Sequence, residues 1–334
     1  MPTPDKMTGS TTAWQTSRIF APSSFNHCFS VKFSRYHLAA FMAFLIWGFF
    51  PLPLRMLSSY ASGQILFFRV VLSLLLLLLI NGVLRLSAVR ATWQQYQQAV
   101  RREQRRVLSL TAVGGLLLVG NWLLFIYVIN HVSVQAGSFA YLICPIITAL
   151  LGFFLLHEPL HFKQWLAIGL SALSCVMLGA GDIYTVALSF LVAFTYAFYL
   201  ITQRLLRDYD KLILLTLQLS LAAVVLIPLA EPLDAHPLAG FQDAHLLLYA
   251  GILSVGFTVL PLFLNLYALN VLPSGTVGIL MYINPLVSFV LAFVYYHEAS
   301  GTTQAIAYAV ILASVVLYNL PDRRKEPQPV LQEH

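Results

Sequence analysis

The string His157-Glu158-Pro159-Leu160-His161 matches the pattern in which two histidines one helical turn apart hold zinc and the glutamate serves as general base. That chemistry needs both imidazoles on one face of a continuous helix. Pro159 opposes it, because a proline steers the residue before it out of the helical region and has no N–H to donate. The second His-Glu, His297-Glu298, is followed by Ala299-Ser300-Gly301 without another histidine, so His-Glu reads as a helix-end feature. An intramembrane zinc metalloprotease built on His157, Glu158 and His161 is the alternative function. Cys28, Cys144 and Cys175 are scattered without metal spacing, and neither a phosphate-binding Gly-rich loop nor a Ser-His-Asp grouping is evident. No catalytic residue, metal or cofactor is expected.

Arg69 offers a different chemistry. It lies in Phe67-Phe68-Arg69-Val70-Val71, inside an apolar stretch where an arginine facing lipid costs roughly 2.5–3.5 kcal/mol. It is expected to face the protein interior; the competing reading is an arginine reaching to the membrane surface. No Asp or Glu lies at mid-depth in any apolar stretch, so its partners must be carbonyls, tyrosine hydroxyls, a helix-terminal Glu or an anionic solute. The same lack removes the usual group for proton coupling. Exchange, facilitated movement, or coupling through Glu158, Glu298 or His131 stay open.

Further polar or helix-breaking residues punctuate the apolar stretches: Asn121 and Trp122, then Thr258, Pro261 and Asn265 at corresponding places of the two halves, with Tyr141, Tyr282 and Asn284 beside prolines. All eight of Arg69, Asn121, Trp122, Tyr141, Thr258, Asn265, Tyr282 and Asn284 are candidate solute-binding residues. For each, interhelical hydrogen bonding worth about 0.6–2 kcal/mol is the plainer reading. Pro51, Pro145, Pro261 and Pro285 are candidate hinges, since a proline frees the carbonyl one turn earlier and bends its helix. Pro145 and Pro285 are expected in mid-helix, and Trp47-Gly48 is expected to permit close helix approach.

The elements that must position these residues follow from composition. With 59% hydrophobic and 10% charged residues among 334 and a mean hydropathy of +0.79, a water-soluble surface cannot be built. No charged residue lies between Arg106 and Glu158 or between Asp243 and Glu298. Each stretch has room for two crossings of about 20 residues, split at His131–Ser133 and Asn270–Pro273. Further spans are placed at 37–57, 62–82, 163–181, 183–203, 211–230 and 302–320, which makes ten helices of an all-α integral membrane protein. The net charge of +6 sits in loops. With the amino terminus cytoplasmic, seventeen of nineteen Lys and Arg fall on the cytoplasmic side, Arg55 falls outside and Arg69 within a helix. The positive-inside rule then places both termini in the cytoplasm. Nucleic acid is not an expected partner; a small solute, the bilayer and optionally a second copy in a homodimer are.

An internal repeat sharpens this picture. Tyr127, Asn130, Ile143, Pro145, Leu151, Phe153, His157, Glu158 and Gln164 recur as Tyr267, Asn270, Ile283, Pro285, Leu291, Phe293, His297, Glu298 and Gln304, at the constant offset 285 − 145 = 140. The offset encloses five helices, an odd number, so each helix of the second half crosses opposite to its counterpart. Such inverted repeats characterise secondary carriers that alternate between two faces around a midplane site. The expected layout is a disordered cytoplasmic tail over 1–36, a first repeat over 37–181, a second over 182–320 and a cytoplasmic tail over 321–334.

The chain resembles the RarD-type branch of EamA-domain proteins in the drug/metabolite transporter superfamily. The resemblance rests on Ile46-Trp47-Gly48 with Pro51 and Arg55, on Phe68-Arg69, and above all on Gly120-Asn121-Trp122-Leu123-Leu124-Phe125-Ile126. It continues in Pro145, Glu158 with Gln164-Trp165-Leu166-Ala167, Phe194 to Tyr199, Pro261-Leu262 and Tyr282-Ile283-Asn284-Pro285. It implies ten helices in two repeats, an inner-membrane location and a permease role, with a link to chloramphenicol sensitivity and no defined solute. The chain departs from the pattern at His157, where the family favours Gly, at Gln135, where it favours an acid, and at Cys144, where it favours Asn.

Overall fold

The computed structural model describes residues 34–131, 134–178, 183–295 and 302–320. The expectations for the two tails lie largely outside these residues, as do Cys28, His297 and Glu298. Among the described residues the chain is helical throughout, without a strand. In chain order the elements are α1 (Arg35–Gly48), α2 (Pro51–Arg55), α3 (Ser62–Leu79), α4 (Leu86–Gln98), α5 (Arg101–His131), α6 (Val134–Leu156), α7 (Phe162–Leu178) and α8 (Ile183–Leu205). They continue with α9 (Lys211–Leu226), α10 (Pro237–Gly240), α11 (Ala244–Ser254), α12 (Leu260–Leu269), α13 (Ser274–Leu280), α14 (Ile283–Val294) and α15 (Thr302–Asn319). A π-helical turn extends α3 over Ile80–Leu84, and another joins α11 to α12 over Val255–Val259.

Among the described residues five helical segments are long and apolar enough to cross a membrane: Arg35–Arg55, Ser62–Leu84, Arg101–Phe125, Ile183–Leu205 and Ala244–Leu269. Shorter apolar helices cover Ala140–Leu156, Phe162–Leu178, Lys211–Leu226, Ser274–Val287 and Ala305–Asn319. Many large apolar side chains face outward, among them Leu79, Phe154, Phe162, Val176 and Val224, as a lipid-facing surface requires.

The packing is invariant to exchanging the halves. α1 packs on α12 as α8 packs on α5; α1 packs on α14 as α8 packs on α6; α3 packs on α11 as α9 packs on α5. The remaining major pairs, α3 with α9, α6 with α13 and α7 with α15, join each helix to its own counterpart. Because contacts run chiefly between halves, the two units interlock. Small residues let backbones approach: a methyl on Gly48 would overlap Val287, and one on Gly278 would press on Thr148. The close approach expected at Gly48 is thus present, between α1 and α14.

The prolines divide into different devices. Pro51 opens α2 after a break at Phe49-Phe50, and Pro261 sits in the first turn of α12 directly after a π-helical turn. Pro145 lies inside the uninterrupted α6. Pro285 corrects the expectation of a mid-helix position: α13 ends at Leu280, α14 begins at Ile283, and Pro285 falls in the new first turn, where its missing N–H costs nothing. The Met281 carbonyl, one turn before it, accepts instead from the Asn284 N–H at 3.1 Å.

Outside the apolar segments, α4 was not anticipated, although Leu86, Val89, Trp93 and Tyr96 recur at three- and four-residue steps along it. Just before it, Arg85 meets Asp210 through Nη1 at 3.0 Å and Nη2 at 2.6 Å. Asp210 also caps α9, accepting from Leu212 N–H at 3.0 Å. Partial burial alone would raise the Asp210 carboxyl, but the bonds from Arg85 and the α9 amides outweigh it and hold the group below the usual carboxylate range.

Candidate functional site

The segment around Pro261 sets up the site. A proline cannot donate to the carbonyl four residues earlier, here that of Phe257. This oxygen accepts instead from Trp47 Nε1 at 2.9 Å and from Arg69 Nη2 at 3.4 Å. Arg69 Nε donates to Thr258 Oγ1 at 2.6 Å, and that hydroxyl donates on to the Leu253 carbonyl at 3.0 Å. The guanidinium carbon lies 4.9 Å from the Trp122 ring centroid and 5.1 Å from that of Phe50. Such cation–π contacts are worth about 2 kcal/mol when desolvated. Ser73 and Ser254 both donate to the Arg69 carbonyl, at 2.6 and 3.0 Å, which pins α3 against α11.

Arg69 therefore faces the protein interior, as expected. Its partners are a carbonyl, a hydroxyl and two aromatic faces; among the described residues no carboxylate pairs with it. A cation so held, between helices of both halves, has its geometry fixed and its charge uncompensated. That arrangement suits a negatively charged or electron-rich group.

The eight candidate residues are only partly brought together. Arg69, Trp122 and Thr258 meet directly, and Tyr141, edge-on to Phe125 at 5.1 Å, lies within electrostatic reach of Arg69. Asn121 turns away, donating to the Val192 carbonyl at 2.8 Å and to Thr195 Oγ1 at 3.2 Å. Adjacent helical residues point about 100° apart, since a turn holds 3.6 residues; Trp122 therefore faces Arg69 while Asn121 faces α8. Asn265 is fully buried and reaches Tyr196 Oη at 3.5 Å, and Tyr282 is buried at the α13–α14 break with Asn284 in the next turn. Asn121 and Asn265 thus make interhelical hydrogen bonds within the bundle.

Two sets of contacts escaped the sequence reading. Glu158 Oε2 accepts from the Ser274 N–H at 2.8 Å and the Ser274 hydroxyl at 2.6 Å, while Oε1 pairs with Arg204 Nε at 3.3 Å. Arg204 Nη1 donates to the Leu269 carbonyl at 2.6 Å. This clasp joins the ends of α6, α8 and α12 to the start of α13. It also disposes of the zinc reading. His157 follows the end of α6 with a left-handed φ of 53°, and His161 directly precedes α7, so the two imidazoles share no helical face. Among the described residues no three His, Cys, Asp or Glu side chains gather as a metal would need.

The second set surrounds Gln218. α9 begins 211 − 62 = 149 residues after α3, a step that the insertions between the halves make longer than the 140 of the later helices, and counted from its own helix start Gln218 stands where Arg69 does. Gln218 is fully buried with neither side-chain polar atom partnered, and Gln203 Oε1 and Thr111 Oγ1 are likewise unpartnered. A methyl on Gly114 would stand 2.8 Å from Gln218 Nε2 and 3.0 Å from Gln203 Nε2. The signal available was a glutamine amid apolar residues, as plain as Arg69 but uncharged.

Comparison with known proteins agrees with this architecture. The EamA-like transporter family matches the chain twice, over residues 34–180 and 183–320. Protein RarD of Escherichia coli (strain K12) is 28% identical over 287 residues, covering 84% of this chain and 92% of that protein. An uncharacterized transporter of Vibrio cholerae is 33% identical over 291 residues, covering 85% and 91%. Protein RarD of Streptomyces exfoliatus is 30% identical over 283 residues, covering 84% and 86%. A solved crystal structure shares the fold, with TM-score 0.62 at 18% identity over 85% of this chain and 97% of that one. The chain is a multi-pass membrane transporter: it belongs to the EamA-like transporter family, as a member of its RarD-type branch.

Proposed function

We propose that this transporter is a secondary carrier that moves a small anionic or amphiphilic solute across the inner membrane by alternating access. Ten helices cross the bilayer in two inverted five-helix repeats, over 37–181 and 182–320, with both termini in the cytoplasm. The observation that carries this reading is Arg69, a cation held by neutral partners where α3, α5 and α1 of the first repeat meet the Phe257–Thr258 turn of the second. Further support comes from the odd number of helices in the repeat offset and from packing that survives exchange of the halves. Glu158, Ser274 and Arg204 then form a cytoplasmic clasp that must part whenever the solute leaves inward. Tyr60 Oη, donating to Asp243 Oδ2 at 2.7 Å, ties the opposite ends of α2–α3 and α11.

The test is a thermal-shift screen of the purified protein against organic anions, amino acids, nucleosides and amphenicol drugs, repeated on Arg69→Ala and Thr258→Val. The carrier reading expects stabilisation by an anionic or electron-rich compound and its loss in both variants. An anionic compound that is transported with unchanged apparent affinity by Arg69→Ala would remove Arg69 from solute binding.

A further inference from the structure

Where α5 enters its apolar stretch, a groove of about 570 Å³ is lined by Arg102, Arg105, Arg106, Ser109, Leu110 and Leu205. Its lining combines arginines with apolar side chains. Arg106 is engaged, donating through Nη1 to Glu103 at 3.1 and 3.2 Å and through Nη2 to the Leu205 carbonyl at 3.4 Å. Glu103, which also borders the groove, is thereby offset. Arg102 and Arg105 stand three residues apart on one helix face, both exposed, and among the described residues neither forms an ion pair.

The neighbouring α4 buries none of its residues, and Trp93 stacks on Tyr96 with ring centroids 5.7 Å apart. Gln104 Nε2 donates to the Tyr96 carbonyl at 3.0 Å and to that of Gln97 at 3.2 Å, which fastens this aromatic pair to the start of α5. Amphipathic helices with aromatic residues on one side lie at the headgroup level of a bilayer. The basic pair and the aromatic pair thus mark one depth.

We infer that the groove seats an anionic phospholipid of the cytoplasmic leaflet, with its phosphate between Arg102 and Arg105 and an acyl chain along Leu110 and Leu205. The depth fits. From Arg105 to Leu110 a helix rises about 7.5 Å, close to the roughly 5–8 Å that separates the headgroup region from hydrocarbon on each side of a bilayer. A free phosphate would use the arginines and gain nothing from the leucines. This inference rests on the proposed orientation with both termini in the cytoplasm and is independent of the solute carried at Arg69.

The test measures lipid retained by the full chain and its melting temperature in nanodiscs of dioleoyl-phosphatidylcholine doped with dioleoyl-phosphatidylglycerol. Wild type should be enriched in phosphatidylglycerol and stabilised by it, and the R102Q/R105Q double variant should lose about thirtyfold in that preference, at the usual strength of two basic residues near an anionic surface. A K163Q/R207Q variant removes the same charge elsewhere on the same face and should keep the preference. Equal losses in the two variants would reduce the groove to general surface charge and overturn the proposal. So would equal stabilisation by inorganic phosphate in pure phosphatidylcholine.

Discussion

Trp47 and Arg69 converge on one backbone oxygen, that of Phe257, at 2.9 and 3.4 Å. They do so because Pro261 leaves that carbonyl without its helical donor. A residue of α12 thereby fixes two residues of the first half through the carbonyl of Phe257.

Replacing Pro261 by Ala supplies an N–H that competes for the Phe257 carbonyl. The helix should gain stability while Trp47 and Arg69 lose an anchor. The melting temperature is expected to rise and the affinity for a solute found by the thermal-shift screen to fall about tenfold, the equivalent of one charge-assisted hydrogen bond. Unchanged affinity with a raised melting temperature would sink the anchoring role.

Glu158→Ala strips the cap from Ser274 and leaves the largely buried Arg204 without its acid. A loss of about 3 kcal/mol is expected, at the low end for breaking a buried ion pair because both side chains keep some solvent contact. Glu158→Gln, which can still accept from Ser274, should recover part of it in the same denaturation experiment. Equal destabilisation by the two substitutions would mean that the ion pair with Arg204, and not the cap, supplies the stability.

Gln218→Leu should leave the protein as stable as wild type or raise its stability by about 1–3 kcal/mol, because an unpartnered buried amide costs its desolvation energy. Thermal melts in detergent decide the sign. A drop of comparable size would show that the amide has a partner, such as an ordered water or a solute.

Asp210 gives a pH dependence. Its carboxyl is held below its ordinary value, so the stability it confers is present above about pH 4, the unfolded-state value, and fades as pH falls through the lower folded-state value. Asp210→Asn should flatten that part of the acid limb of a stability-against-pH curve. An unaltered acid limb would place the dependence on other carboxylates.

Much of this architecture was legible because lipid imposes simple rules. Apolar blocks gave the helices, and Arg69, Trp122 and Thr258 stood out as polar or amphipathic residues in such blocks. Direction around a helix was not legible: Asn121 and Trp122 are neighbours in sequence, yet one packs on α8 and the other on Arg69. Arg204 was read as a charge that orients the chain in the membrane, which hid its pairing with Glu158 across 46 residues of sequence. Pro285 was placed by analogy with Pro145, and a shared residue type did not fix a shared backbone path. α4 does not stand out in the sequence because its apolar face is narrow and it contains no apolar run.

The unlike fates of Pro145 and Pro285 bear on how such a carrier would rest. Two arms of equal stiffness would leave a molecule with no preferred side, visiting each mouth equally often in the absence of a gradient. Here one arm is a continuous rod and its twin is jointed at Met281-Tyr282. Under the carrier reading proposed above, the joint can absorb rotation that the continuous helix passes on, so a few residues of the ninth apolar segment are where the bias between facing in and facing out would be set.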